Sequence, residues 1–379
     1  MVRGFVAAGF EEVRDEFAAV VAGERPDYAG QLAVHAHGRN VVDLWAGPDT
    51  DGDTLFGVYS STKGAAHLVV ALLVQDGVLE LDRAVAHYWP EFAAGGKGGV
   101  TLRDLLAHRA GVVGADAGLT PEELADDRVV AERVAGQRPY WRPGTAFGYH
   151  ALNIGALTGE VVFRATGHTL HEVYETRVRA PYGLDFHLGL PEEHEPRFRS
   201  VLPMDPTPEQ RALLDAGPAD GTGSLGVIAF NRNGEHPTDL ESLPNTRRVR
   251  AKGPASVGGV ASARGLAGLY AAAIGALEGH APLLKPDTVA EFGQIHSHGM
   301  DLVARAHKSL ALGFQNTADV YPWLGAGSFG HSGAGGSQAF ADPRAGLAYG
   351  YTRRRFAFPG GAAPENERLV LAAHRAATR

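Results

Sequence analysis

The chain has 379 residues, 44% of them hydrophobic and 21% charged, with a formal charge of −8 and no cysteine. That length supplies ample core and suggests two domains, or one domain carrying a large insertion. Disulfides, thiol catalysis and cysteine-ligated zinc are excluded, and the acidic balance argues against nucleic acid as a partner.

The N-terminal stretch MVRGFVAAGFEEVRDEF carries charges where a signal peptide needs an apolar segment. No apolar run reaches the roughly 18 residues of a membrane-spanning helix. The expectation is a soluble, cytoplasmic protein with no membrane partner. Phe10, Val13, Phe17, Val20 and Val21 recur at helical spacing, with Glu11, Glu12, Arg14 and Asp15 between them. That pattern predicts an amphipathic surface helix. QLAVHAHGRNVVDLWAG follows, two apolar segments around Gly38-Arg39-Asn40, which reads as a β-hairpin. His35 and His37 alternate on one strand and read as surface histidines rather than metal ligands, since no carboxylate partner is near in sequence. His296 and His298 read the same way.

Phe56–Val74, FGVYSSTKGAAHLVVALLV, is the stretch with chemical content. Ser60 and Lys63 lie three apart where a polar turn gives way to an apolar run. On a helix such residues share a face, so the amine falls one turn from the hydroxyl. A serine is a weak nucleophile until a base takes its proton, and a lysine is that base only when burial or nearby cations lower its pKa. The apolar run predicts a buried helix able to hold the pair. By itself Ser-x-x-Lys is a short pattern, and an N-cap serine would also fit it.

Asp76-Gly77 predicts the end of that helix. Helix starts follow at Thr101, at Thr120-Pro121-Glu122-Glu123 and at Thr169 with Glu172. Strand signals are nearly absent from about Leu79 to Tyr182. Pro143–Ala151, PGTAFGYHA, brings Tyr149 in front of an apolar helix, and a tyrosine near a lysine can relay a proton to a leaving group. Pro191–Arg250 is rich in proline, glycine and charge, with one helix signal at Thr207-Pro208-Glu209-Gln210. A stretch of this kind is a lid, a binding loop or a surface excursion. Ser262 opens a further helix. Gly330-His331-Ser332-Gly333-Ala334-Gly335-Gly336 is a glycine-rich turn before a strand, where a backbone N–H paired with that of Ser60 could form an oxyanion hole. Asp342–Gly346 turns a second hairpin, and Glu365–Ala377 reads as a closing helix. Arg353–Arg355 follow the last strand, where one of them could reach the pocket. The boundaries expected are a sheet domain from 1–78 and 251–379, and a mostly helical domain, 79–250, with its lid-like part at about 191–250.

Taken together, these motifs resemble the serine β-lactamase and penicillin-binding-protein superfamily in its class C-like branch, and are similar above all to the family VIII carboxylesterases. Ser60-Ser61-Thr62-Lys63 matches S-x-T-K, Tyr149 the tyrosine of Y-x-N, and His331-Ser332-Gly333 stands at the K-T-G position. LVQDGVLELDRAVAHYWPEF, VTLRDLLAHRAGV and YHALNIGALTGEVV also match, and the likeness runs from about Gly9 to Ala373. The resemblance implies an α+β fold of the β-lactamase/transpeptidase type, an antiparallel sheet flanked by helices plus an inserted all-helical domain, with the active site between them. It implies catalysis by Ser60, Lys63 and Tyr149, an oxyanion hole from the N–H groups of Ser60 and Ala334, and substrate contacts at His331, Ser332 and Gly333. No cofactor or metal is implied. Two departures stand out. Ala151 replaces the Y-x-N asparagine, and His331 replaces the lysine that meets a substrate carboxylate. A histidine is mostly neutral at pH 7 and gains charge toward pH 6. Both changes point to a small-molecule ester as substrate. A β-lactam, a D-amino-acid peptide, acyl transfer to an alcohol or amine, and an inert binding protein remain alternatives. No serine has glycines at both −2 and +2, which argues against an α/β-hydrolase.

Overall fold

The computed structural model describes residues 1–216, 224–275, 277 and 279–379. Residues 217–223 of the lid-like stretch therefore lie outside the description. Nine antiparallel strands form the main sheet, in the order β1-β3-β2-β12-β11-β10-β9-β8-β7. Three come from the start of the chain: β1 (Arg3–Val6), β2 (Gly30–Ala36) and β3 (Arg39–Ala46). Six come from the end: β7 (Ser297–Asp301), β8 (Ala306–Leu310), β9 (Gln315–Asn316), β10 (Phe329–Ser332), β11 (Gln338–Asp342) and β12 (Leu347–Arg353). β4 (Phe56–Gly57), β5 (Phe186–His187) and β6 (Val260–Ala261) make a separate small sheet in the order β4-β6-β5. The fold is α+β of the expected kind.

The neighbouring strands β2 and β12 sort their side chains by size. Leu32, Val34, Leu347, Tyr349 and Tyr351 point to one face, where they pack with Val13, Phe17, Leu369 and Val370 of the helices Glu11–Gly23 and Asn366–Ala377. Alternation then sends Ala33, Ala348 and Gly350 to the other face. Ala33 packs there with Ala263 and Ala267 of the helix Ala263–Ile274. Small residues on both sides bring this helix close to the strands. A Cβ on Gly350 would lie 2.5 Å from the Ala267 nitrogen and 2.6 Å from the Ala263 oxygen. Ser262 caps the helix start by accepting the Gly265 N–H, and Gln31 of β2 accepts the Ala263 N–H.

Both predicted hairpins form. The first turns one residue earlier than expected, at His37 and Gly38 (φ 51° and 76°), so Arg39 and Asn40 belong to β3. The surface reading of the strand histidines needs correction. His35 is buried, and burial pulls its pKa down to about 4; His37 sits in the turn, so the two share no strand face. The helix starts at Thr101, Thr120, Thr169 and Thr207 are all capping boxes. Residues 79–182 hold helices and no named strand. The described part of 191–250 holds more regular structure than its composition suggested, with the α-helices Pro208–Asp215, Leu225–Ala229 and Arg247–Lys252. The sequence reading missed β1, which is exposed, and the β7–β8 hairpin, whose residues SHGMD and AHKSL are too polar to read as strands. No helix is long and apolar enough to cross a membrane among the described residues.

Gly350→Val should lower the guanidinium midpoint by an amount corresponding to about 1–3 kcal/mol or more, because the added methyls drive the helix Ala263–Ile274 off the sheet. An unchanged midpoint would mean that the close approach does not matter.

Candidate active site

Ser60 lies in a short 3-10 turn, Tyr59–Ser61, that runs into the helix Thr62–Gln75. That helix is enclosed from Thr62 to Leu73, as its largely apolar composition, broken by Thr62, Lys63 and His67, leads one to expect. Tyr59, just before Ser60, has φ 48°, a region that bulky L-residues rarely occupy. Packing holds it there. Its ring meets Phe356 edge-on at 5.5 Å, and a Cβ on Gly335 would come within 2.4 Å of it. The turn is also tied to β10. Ser61 Oγ donates to the His331 carbonyl at 3.1 Å and lies 2.9 Å from Ser337 Oγ, which donates to the Val58 carbonyl at 3.0 Å. Gly333 fits beneath: a Cβ there would stand 2.3 Å from the Val58 oxygen.

Lys63 has no exposed surface. Its Nζ is 3.0 Å from Ser60 Oγ and donates to the carbonyls of Ala151 and Ser256, each at 2.7 Å. A neutral amine has two N–H groups and one lone pair. The two carbonyls use the N–H groups, which leaves the lone pair facing the Ser60 hydroxyl. Burial pulls the Lys63 pKa well below its ordinary value, in the direction a base needs. Ala151 therefore contributes through its backbone, at the position where a side-chain amide is absent. Ser256 was missed by sequence reading. Its Oγ accepts the Gly155 N–H at 2.8 Å and so anchors the carbonyl that holds Lys63. A carbonyl leaves no signature in residue type, so nothing in the sequence marks it.

Tyr149 stands over the pair, its ring centroid 5.0 Å from Lys63 Nζ. Part of the residue faces the cleft, yet its desolvated surroundings raise the phenol pKa; the nearby Ser60 hydroxyl works the other way. A lowered lysine pKa suits an amine to accept a proton and a raised tyrosine pKa suits a phenol to keep one. Asp301, at the end of β7, fixes the Tyr149 backbone: its Oδ1 accepts the N–H groups of Tyr149 (3.1 Å), Val303 and Ala304 (both 2.8 Å).

His331 is buried one layer behind Tyr149, the two rings stacked at 5.8 Å. Its Nδ1 lies 2.8 Å from the Ser332 carbonyl, so Nδ1 carries the proton and Nε2 presents a lone pair 3.4 Å from the Tyr149 hydroxyl. Burial drives the His331 pKa well below its ordinary value, and Lys63, whenever it is protonated, pushes it the same way. Protonation toward pH 6 is thus a wrong expectation: the ring stays neutral there. The arginines that end β12 and follow it do not compensate. Arg353 is paired with Glu24 and Glu365, Arg354 donates to the Ser200 carbonyl, and Arg355 is held by Asp27 and the Pro203 carbonyl.

A cleft of about 210 Å³ opens over Ser60. It is lined by Tyr149 and Phe230 and, from the strands β10, β9 and β8, by Ser332, Gln315, Lys308 and Leu310, with Ala334 beside them. Ser332 is fixed by Gln315, whose Oε1 accepts both its N–H and its hydroxyl at 3.1 Å. The Ala334 carbonyl accepts the Gly361 N–H at 3.1 Å, while its own N–H has no acceptor among the described residues. The Ser60 N–H belongs to an opening turn, where the first amides lack intrahelical partners. Two free N–H groups on the cleft suit a developing oxyanion. No group of three or more metal-ligating side chains occurs among the described residues.

The beta-lactamase family model matches residues 16–374. The chain belongs to the beta-lactamase family. Within this family, the esterase/beta-lactamase LipL of Mycobacterium tuberculosis is 30% identical over 366 residues, 90% of this chain and 80% of LipL. EstA from Arthrobacter nitroguajacolicus Rue61a superposes with a TM-score of 0.90 at 40% identity, covering 98% of both chains. A family VIII carboxylesterase gives 0.87 at 33% identity, over 99% of this chain and all of the other. Among beta-lactamase-family proteins, this chain is thus similar to ones named for ester hydrolysis.

For a neutral ester, kcat/KM should fall at acid pH as Lys63 gains its proton and reach a plateau before pH 9, since the depressed pKa leaves the amine neutral there. An unperturbed lysine titrates near 10.4, so a rate still climbing tenfold per unit at pH 9 would count against Lys63 as a buried base.

Proposed function

We propose that the ester hydrolysis carried out by this chain, a carboxylesterase, proceeds through an acyl-enzyme on Ser60. The observation that carries this reading is the enclosed Lys63 amine, 3.0 Å from Ser60 Oγ with both its N–H groups engaged by carbonyls. Ser60 Oγ attacks the ester carbonyl carbon as Lys63 takes its proton. The oxyanion that forms is held by the N–H groups of Ser60 and Ala334. As the intermediate collapses, Tyr149 gives a proton to the leaving alkoxide and is resupplied by Lys63. Water then attacks the acyl carbon, the same pair receives its proton and passes it to Ser60 Oγ as the acyl C–O bond breaks, and the free acid is released. Ser332 and Gly333 shape the wall against which the substrate lies, and His331 supports Tyr149 from behind. The site sits between a sheet domain, 1–78 with 251–379, and a helical domain, 79–250. In this reading 191–250 is a binding loop, supported by Phe230 on the cleft wall and by the Tyr59 hydroxyl donating to the Glu241 carbonyl. The cleft volume suits short esters, and the absence of a long apolar helix among the described residues fits a cytoplasmic enzyme.

A fluorophosphonate probe should leave a single adduct, on Ser60, and Ser60→Ala should lose nearly all turnover while keeping its circular dichroism and melting temperature. An adduct on another serine would overturn the assignment.

Neutral esters make no use of a cation at position 331, whereas a desolvated carboxylate would lose on the order of 1.5–3 kcal/mol without it. p-Nitrophenyl acetate should therefore exceed a chromogenic cephalosporin in kcat/KM by roughly ten- to a hundredfold or more, and by the same ratio at pH 6 as at pH 7. Equal efficiencies would put a lactamase in place of the esterase.

A further inference from the structure

We propose that Lys308 forms an anion-binding subsite at the mouth of the cleft, which favours esters bearing a carboxylate remote from the reacting carbonyl. The proposal deepens the Ser60 hydrolase reading and rests on it. The β7–β8 register pairs Ser297 with Leu310, Gly299 with Lys308 and Asp301 with Ala306. Paired residues share a face of the sheet, and Lys308 and Leu310, two apart, both face the cleft that holds Ser60. Lys308 is exposed and has no hydrogen bond or ion pair among the described residues. Across the hairpin stands Gly299, and nothing lies within 4 Å of the place its Cβ would take. The space beside the ammonium is therefore open. The acidic group nearest in the cleft wall does not neutralise it: Asp301 spends Oδ1 on three backbone amides, and its Oδ2 is enclosed.

His331 of β10 offers no cation, since it is buried and neutral. The charge has thus moved from β10 to β8. One strand, β9, separates them, and its Gln315 pairs with both Leu310 and Gly330, so Lys308 stands two strand spacings across and three residues along from His331, roughly 14 Å away. A carboxylate close to the reacting bond, as in a β-lactam, meets no partner. One carried on a short linker reaches Lys308. The linker could belong to the acyl or the alcohol part, and the shared chemistry is a monoanionic half-ester-like substrate.

The test measures kcat/KM for two matched pairs. Mono-4-nitrophenyl adipate against 4-nitrophenyl hexanoate places the charge on the acyl side; 4-acetoxybenzoate against its methyl ester places it on the leaving side. The anionic-to-neutral ratio cancels any general loss of activity. In at least one pair, Lys308→Met should lower that ratio about three- to tenfold, as expected for one accessible ion pair. The change should appear in KM rather than kcat. Lys308→Glu should lower the ratio further and Lys308→Arg should keep it. Ratios unmoved by Met and Glu in both pairs overturn the subsite. Absence of turnover with all four esters in the wild-type enzyme overturns the hydrolase reading, which the subsite requires.

Discussion

The structure depends on taking one lysine amine out of water without leaving it unpartnered. An exposed Lys63 would be an ammonium at neutral pH and useless as a base. A buried amine with no acceptors would leave its N–H groups unsatisfied, at a cost of roughly 1–3 kcal/mol each. The chain meets both demands by bringing the carbonyls of Ala151 and Ser256 to within 2.7 Å of Nζ. These residues lie 88 and 193 positions from Lys63. The helix Thr62–Gln75 must therefore be surrounded on every side, which is why its sequence is apolar nearly all round.

The sheet supplies the opposite wall, and its contribution is mechanical. The β10–β11 turn presses against the Ser60 turn through Ser61, Ser337 and glycines that leave no room for a side chain. That contact holds Tyr59 at positive φ and keeps the Ser60 and Ala334 amides on the cleft. Behind β12, small residues let the helix Ala263–Ile274 seat close to the strands. The geometry at Ser60 is thus inherited from packing several layers away.

Legibility followed the physics of each signal. Local interactions were readable: the Ser60–Lys63 spacing, the threonine capping boxes and the two apolar hairpins all depend on neighbours in sequence. The β7–β8 hairpin was not readable, because its strands carry Asp301, His298, His307 and Lys308 and owe their existence to pairing rather than propensity. His35 was misread for the same reason. Alternation places it on a face, but only the helix laid on that face buries it. Nor could the surroundings of His331 be inferred from its identity. The residue type suggested a group that charges near pH 6, whereas its enclosure behind Tyr149 forbids it.

By itself the sequence determined the reagents: a serine and a lysine one helical turn apart, a tyrosine before a later helix, a glycine-rich turn, and no cysteine. It also marked the two positions, 151 and 331, where an amide and a cation are missing. Tertiary structure alone decided the state of those reagents. Whether Lys63 is neutral, whether Tyr149 keeps its proton and which cation faces the substrate are consequences of desolvation and of contacts between distant segments. A pKa is a property of surroundings, and the surroundings of Ser60 are assembled from residues 59–63, 149–151, 230, 256, 301–310 and 331–334, which only the folded chain brings together.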